Sequence, residues 1–240
     1  MQAKQICLLA STEAKGGTGM VALAGQYLNI VLEDLKLNRN LKVNRVTQLL
    51  TLSPGSYGPF ILEADYLRTY DMFYSMPASG GATASSQTIF LNPVTMEEFD
   101  AEFKGPSIAN YPYEYATDLS TQAQTASGSA GQLYTYPPSS GQLVVTHRYM
   151  MNQPDITSPE TSSATPWFAF TDYLIHATAA RMMGITGDDR QTSYFAESEA
   201  MLRPHLIMEG DEQQTDRSIR LSPRQFKFNK GLKPTKANPL

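Results

Sequence analysis

The sequence predicts an α+β fold: a helical bundle made by N- and C-terminal helices, an inserted antiparallel β domain, and an extended C-terminal tail. Three observations point there. Apolar residues recur at helical spacing before residue 41 and again after Pro166, while short β-favourable runs separated by turns fill the middle. Charge also divides sharply along the 240 residues. Residues 1–216 hold 12 Lys+Arg against 23 Asp+Glu, a balance of −11; residues 217–240 hold Arg217, Arg220, Arg224, Lys227, Lys230, Lys233 and Lys236 and no acid. The expected division is residues 1–41 for the N-terminal helices, 42–152 for the β insertion, 153–208 for the C-terminal helices and 209–240 for the basic tail.

The first helix is expected over residues 3–13, broken at Gly16-Gly17. A second should run from about Thr18 to Leu37. Its stripe Ala24, Leu28, Val31, Leu32 and Leu35 follows i, i+4, i+7, i+8, i+11. Leu23, Tyr27 and Ile30 form a second stripe about 100° away, so this helix carries more apolar surface than one neighbour can cover. Val46–Leu52 reads as a strand closed by Ser53-Pro54-Gly55-Ser56, and Leu67–Tyr74 as another. Thr95 and Glu98 have capping-box spacing for a short helix. Leu133–Tyr136 and Leu143–Tyr149 are the clearest strands, with Leu143, Val145, His147 and Tyr149 on one face and Pro137–Gly141 as a hairpin connection.

Residues 78–88, 120–131 and 157–165 are dominated by small and polar residues. They are read as surface loops placed to touch partners, because they have little apolar surface to offset their ordering entropy. After Pro166 a helix is expected over about Trp167–Met183, with Tyr173, Ala177 and Arg181 on its packing side and Gly184 and Gly187 ending it. A last helix should start near Asp189, capped by Asp188-Asp189, and run to about Leu202, where Pro204 kinks or ends it.

The composition narrows the chemistry. Charged residues make up 18%, below the usual quarter, so polar loops replace charged surface. The single Cys7 excludes an internal disulfide framework and multi-cysteine metal sites. No apolar stretch approaches the roughly 18 residues of a membrane span, and Ile6–Ala10 is too short for a secretory core. A soluble protein of a reducing compartment is expected, with no membrane span.

Lys15-Gly16-Gly17-Thr18-Gly19 before a helix looks like a degenerate phosphate-binding loop. Met20 stands where the phosphate-neutralising lysine belongs and Val21 where the Mg²⁺-binding hydroxyl belongs, so the loop lacks the parts of the mechanism. His147, His176 and His205 fall on different expected elements, without metal-ligand spacing. Glu97, Glu98, Asp100 and Glu102 read as a solvated helix face. The expectation is a non-enzyme with no cofactor and no metal. The alternatives are a nucleotide-binding enzyme using Lys15–Gly19, and a DNA-binding protein using the basic tail.

Several segments resemble the head-to-tail adaptor proteins of tailed bacteriophages, of the short-tailed type. They are Asn110-Tyr111-Pro112-Tyr113 through Asp118-Leu119-Ser120, Gln132–Pro137, His147-Arg148-Tyr149, Asp172–Arg181, and Met201-Leu202-Arg203-Pro204 through Gln213. The resemblance implies a structural virion protein: a ring of about twelve copies joining the capsid portal to the tail and lining the DNA exit channel. The implied partners are further copies of the chain, the portal, the tail nozzle or hub protein, and tail fibres or spikes, with genomic DNA passing through without specific binding. It would sit at the portal–tail junction of the virion, and in the host cytoplasm during assembly. The expected portal or subunit interface residues of the tail are Arg217, Arg220, Arg224, Phe226, Lys227, Phe228 and Lys230. Leu23, Tyr27, Ile30, Tyr173, Ala177 and Arg181 are the expected subunit-packing residues.

Overall fold

The computed structural model describes residues 1–76, 87–102, 111–119 and 131–209. The fold is α+β. Among the described residues, five helices, α1 (Ala3–Glu13), α2 (Val21–Asn38), α3 (Met96–Glu102), α4 (Thr171–Thr186) and α5 (Gln191–Glu209), accompany eight strands. The strands are β1 (Arg45–Leu52), β2 (Phe60–Ile61), β3 (Tyr66–Met76), β4 (Gln87–Phe90), β5 (Asn92–Pro93), β6 (Glu114–Asp118), β7 (Gln132–Tyr136) and β8 (Leu143–Met151). The expected basic tail lies outside the described residues, as do residues 78–86 and 120–130 of the two longer low-complexity stretches.

Helices α1, α2, α4 and α5 share one core. Ile6, Cys7 and Ala10 of α1 meet Ala24, Leu28, Val31, Leu32 and Leu35 of α2, with Leu174, Ala179 and Met182 of α4 and Leu202 and Leu206 of α5. The α2 contribution is the stripe expected from periodicity. Transfer of the Leu, Ile, Val and Met side chains among these out of water supplies about 1.5–3 kcal/mol each.

The strands form two four-stranded sheets, in the orders β1-β8-β3-β4 and β2-β7-β6-β5. Both contribute to a second core, in which Leu50, Leu52, Met72, Tyr74, Val145 and Tyr149 of the first sheet meet Leu133 and Tyr115 of the second. Two expectations are corrected here. Pro137–Gly141 does not close a hairpin, because β7 and β8 belong to different sheets and the segment crosses between them. Among the described residues, pairing is antiparallel except for β5 beside β6, a short parallel pair in which Asn92 faces Glu114.

Two helix boundaries also move. Helix α4 begins at Thr171 rather than Trp167, because Trp167, Phe168 and Phe170 pack on the helical core from a non-helical approach segment. Gly187 ends it in the left-handed conformation (φ 66°), and Asp188 N–H donates to the Met183 carbonyl. Helix α5 continues through Pro204 to Glu209 instead of stopping near Leu202. Asp188 still serves its start: its Oδ1 accepts the Arg190 N–H at 3.0 Å.

The two cores are joined by polar ties. Arg68 of β3 donates to the carbonyls of Leu37 and Arg39 and to Asn40 Oδ1, satisfying acceptors at the C-terminal end of α2. Lys36, almost wholly buried, donates to the Gln153 carbonyl at 3.1 Å, and Gln153 Nε2 reaches Asn44 Oδ1 at 3.3 Å.

Residues 152–166 then return across the helices as a strap. Asn29 exchanges two hydrogen bonds with the Ile156 backbone, each 3.1 Å. The carbonyls of Ala164 and Ser162 accept the first-turn N–H groups of Ala3 and Lys4. Residues 157–165, expected as a partner-facing loop, thus also cap α1. The strap backbone passes close to Gly25, where a Cβ would lie 3.3 Å from Glu160 N.

Candidate interaction surfaces

Helix α2 shows two apolar faces. The stripe from Ala24 to Leu35 is buried, while Leu23 and Tyr27 are half-buried and Ile30 is 39% exposed. Two turns on, Leu37 continues the open face at 45% exposed.

Beside this ridge, α2, α4 and α5 enclose a groove of about 200 Å³. Val31, Leu35, Tyr173, Ala177, Phe195 and Leu202 supply its apolar lining. Two ion pairs stand at it: Arg181 with Asp34, and Arg39 with Glu199 at 3.4 Å. Of the expected packing residues, Tyr173 and Ala177 are therefore buried against their own helices, and Arg181 is tied to α2. Phe195 and Glu199 were not singled out in the sequence, because α5 has no clear apolar stripe to mark its groove side.

The β lobe carries a second open surface. Across the outer face of the first sheet, Leu49, Thr146, Phe73 and Phe90 stand in register on β1, β8, β3 and β4. Leu49 is 69% exposed and the Phe73 and Phe90 ring centroids are 5.3 Å apart. Arg148 lies over the Phe73 ring at 4.8 Å and pairs with Asp71 at 3.4 Å. This row is invisible along the chain because it is assembled from four strands.

The Lys15–Gly19 loop is a helix ending. The N–H groups of Lys15 and Gly16 donate to the Thr12 and Ser11 carbonyls, and Ser11 Oγ donates to the Gly17 carbonyl. Lys15 and Gly17 both have φ of 57°, as in a left-handed cap. The apolar run that precedes the loop is helix α1, whereas a phosphate-binding loop leaves a strand.

The histidines are dispersed. His147 is fully buried in the β lobe, with Nε2 3.0 Å from Thr69 Oγ1, whose oxygen also meets Tyr66 OH at 3.0 Å. Burial pushes its imidazole down to about 4. His176 Nδ1 lies 3.8 Å from Glu13 Oε2, and the His205 ring centroid is 4.0 Å from that of Phe170. Among the described residues, no group of three His, Cys, Asp or Glu side chains could hold a metal ion.

On α3, Thr95 and Glu98 form the expected capping box: Thr95 Oγ1 accepts the Glu98 N–H, and Glu98 Oε2 accepts the Thr95 N–H, both at 3.1 Å. Nearby Glu114 is buried and its carboxyl is raised, first by desolvation and then by Glu98. Among the described residues, no helix is long and apolar enough to cross a membrane. The tail residues Arg217, Arg220, Arg224, Phe226, Lys227, Phe228 and Lys230 lie outside the described residues. Neither a protein-family model nor a curated protein matches the chain.

Proposed function

We propose that this chain is a structural virion protein, a ring-forming adaptor between a capsid portal and a phage tail. The reading rests first on the segments that resemble head-to-tail adaptors. The observation that carries it physically is the open face of α2. That helix already buries one apolar stripe in its own bundle, yet it keeps Leu23, Tyr27 and Ile30 half-buried or exposed beside an apolar groove. In a ring, the ridge of one copy packs against the helical lobe of the next, and the β lobe faces the tail nozzle or hub, with tail fibres or spikes as further neighbours.

The charge division fits that role. An acidic body repeated around a channel repels duplex DNA, keeping it mobile, because neutralised phosphates would bind tightly through counterion release. The basic tail, with Arg217, Arg220, Arg224, Lys227 and Lys230 around Phe226 and Phe228, supplies the docking segment for an acidic portal surface.

The deciding experiment is electron cryo-microscopy of purified particles. Density for this chain in a ring at the portal–tail junction is expected, and its absence from the particles refutes the reading. The tail's role is tested separately: shortening the chain to end at Glu209 should abolish portal binding, and unchanged binding would remove the tail from the docking surface.

A further inference from the structure

Strand β1 is an edge with few of the features that keep sheet edges unpaired. It pairs with β8 over eight consecutive residues, Arg45 to Leu52, without a register break. It contains no proline, and its one charged residue is Arg45 at the start. Alternate backbone N–H and C=O groups of an antiparallel edge strand point away from its partner. Among the described residues, no strand pairs with that outer edge. An edge this long and uncharged is a ready template for one more strand.

We propose that the occupant of the β1 edge is the chain's own segment Gln225–Asn229. Three observations select it. The described chain ends near the start of β1: Lys42, three residues before the strand, donates to the Met208 carbonyl at 3.5 Å. The residues between Glu209 and Gln225 can extend to roughly 50 Å, while β1 spans roughly 26 Å, so the segment reaches the strand in either direction.

The alternation also fits. With Phe226 and Phe228 on the outer face, one of them continues the row Leu49–Thr146–Phe73–Phe90 and the other lies two residues along the same strand, so that together they cover Leu49. Lys227 then falls on the opposite face, where Glu63 accepts the Gln48 amide at 3.0 Å. Charge agrees as well, since the segment belongs to a tail with seven bases and no acid, on a body of net −11. This inference stands apart from the adaptor reading, because it concerns the isolated chain.

Disulfide trapping in the full-length protein tests it. Leu49→Cys is combined with Phe226→Cys or Phe228→Cys and exposed to mild oxidant at low protein concentration. The native Cys7 does not compete: it is fully buried, and burial pushes its thiol up to about 11. At least one pair should close within a single chain about tenfold faster than a Leu49→Cys/Ala237→Cys control. No excess over that control overturns the proposal, and so does a disulfide formed only between chains, which would give the edge to a second copy. Amide exchange provides the independent readout. Lys227→Pro with Phe228→Pro should speed exchange across β1 about tenfold, and unchanged exchange would also overturn the proposal.

Discussion

At the residue scale, His147 is the most sensitive group in the β lobe. Its position on a strand face with Val145 and Tyr149 was readable from alternation, but its partner Thr69 was not, because β3 and β8 meet only in the fold. The folded imidazole titrates near 4, against 6.5 for the unperturbed group. As pH falls below 6.5 the unfolded chain takes up the proton first, so stability drops, and the loss is complete below about 4. The full loss is about 3 kcal/mol. Urea unfolding at pH 7.5 and pH 4 should show the wild type losing about that much more than His147→Gln, which has no proton to gain. Equal losses would mean that His147 is not held neutral by burial.

At the element scale, local pattern and distant packing contributed differently. Helices α1 and α2 were legible because their buried stripes follow the helical period, and β1 and β8 because they alternate. The split into two sheets was not legible: nothing in Pro137–Gly141 records that Leu133 and Val145 lie on different sheets of one core. The late start of α4 was hidden for a related reason, since Phe168 is as apolar in its approach segment as it would be in a helix. The open apolar surfaces were partly legible: the open stripe of α2 was, while the groove and the outer sheet row draw on several elements each. Arg68 also escaped sequence reading, though it holds the end of α2. Arg68→Ala should cost about 2 kcal/mol in denaturant unfolding, in line with hydrogen bonds from a charged donor. Arg68→Lys should recover only part of that, because an ammonium cannot reproduce the guanidinium fork.

At the scale of the whole molecule, two cores meet through polar ties, and the open apolar surface lies on the outside of each lobe. Ile30→Asp separates association from folding. At 39% exposure the change should shift stability by no more than about 1 kcal/mol. Placed in the interface proposed for neighbouring copies, the same carboxylate should prevent ring formation on the particle, scored by counting tailed particles in micrographs. A normal tailed yield would take Ile30 out of that interface.

The separation of the cores also equips the molecule with two spectroscopic reporters. The only tryptophan, Trp167, packs on the helical core, while ten of the 13 tyrosines fall between residues 57 and 149, in or beside the sheets. Leu174→Ala empties part of the helical core and should cost about 2–5 kcal/mol there. During heating, indole fluorescence should then report an early transition while tyrosine ellipticity keeps its wild-type midpoint. A shared midpoint would show that Arg68, Lys36 and Gln153 bind the two halves into a single cooperative unit.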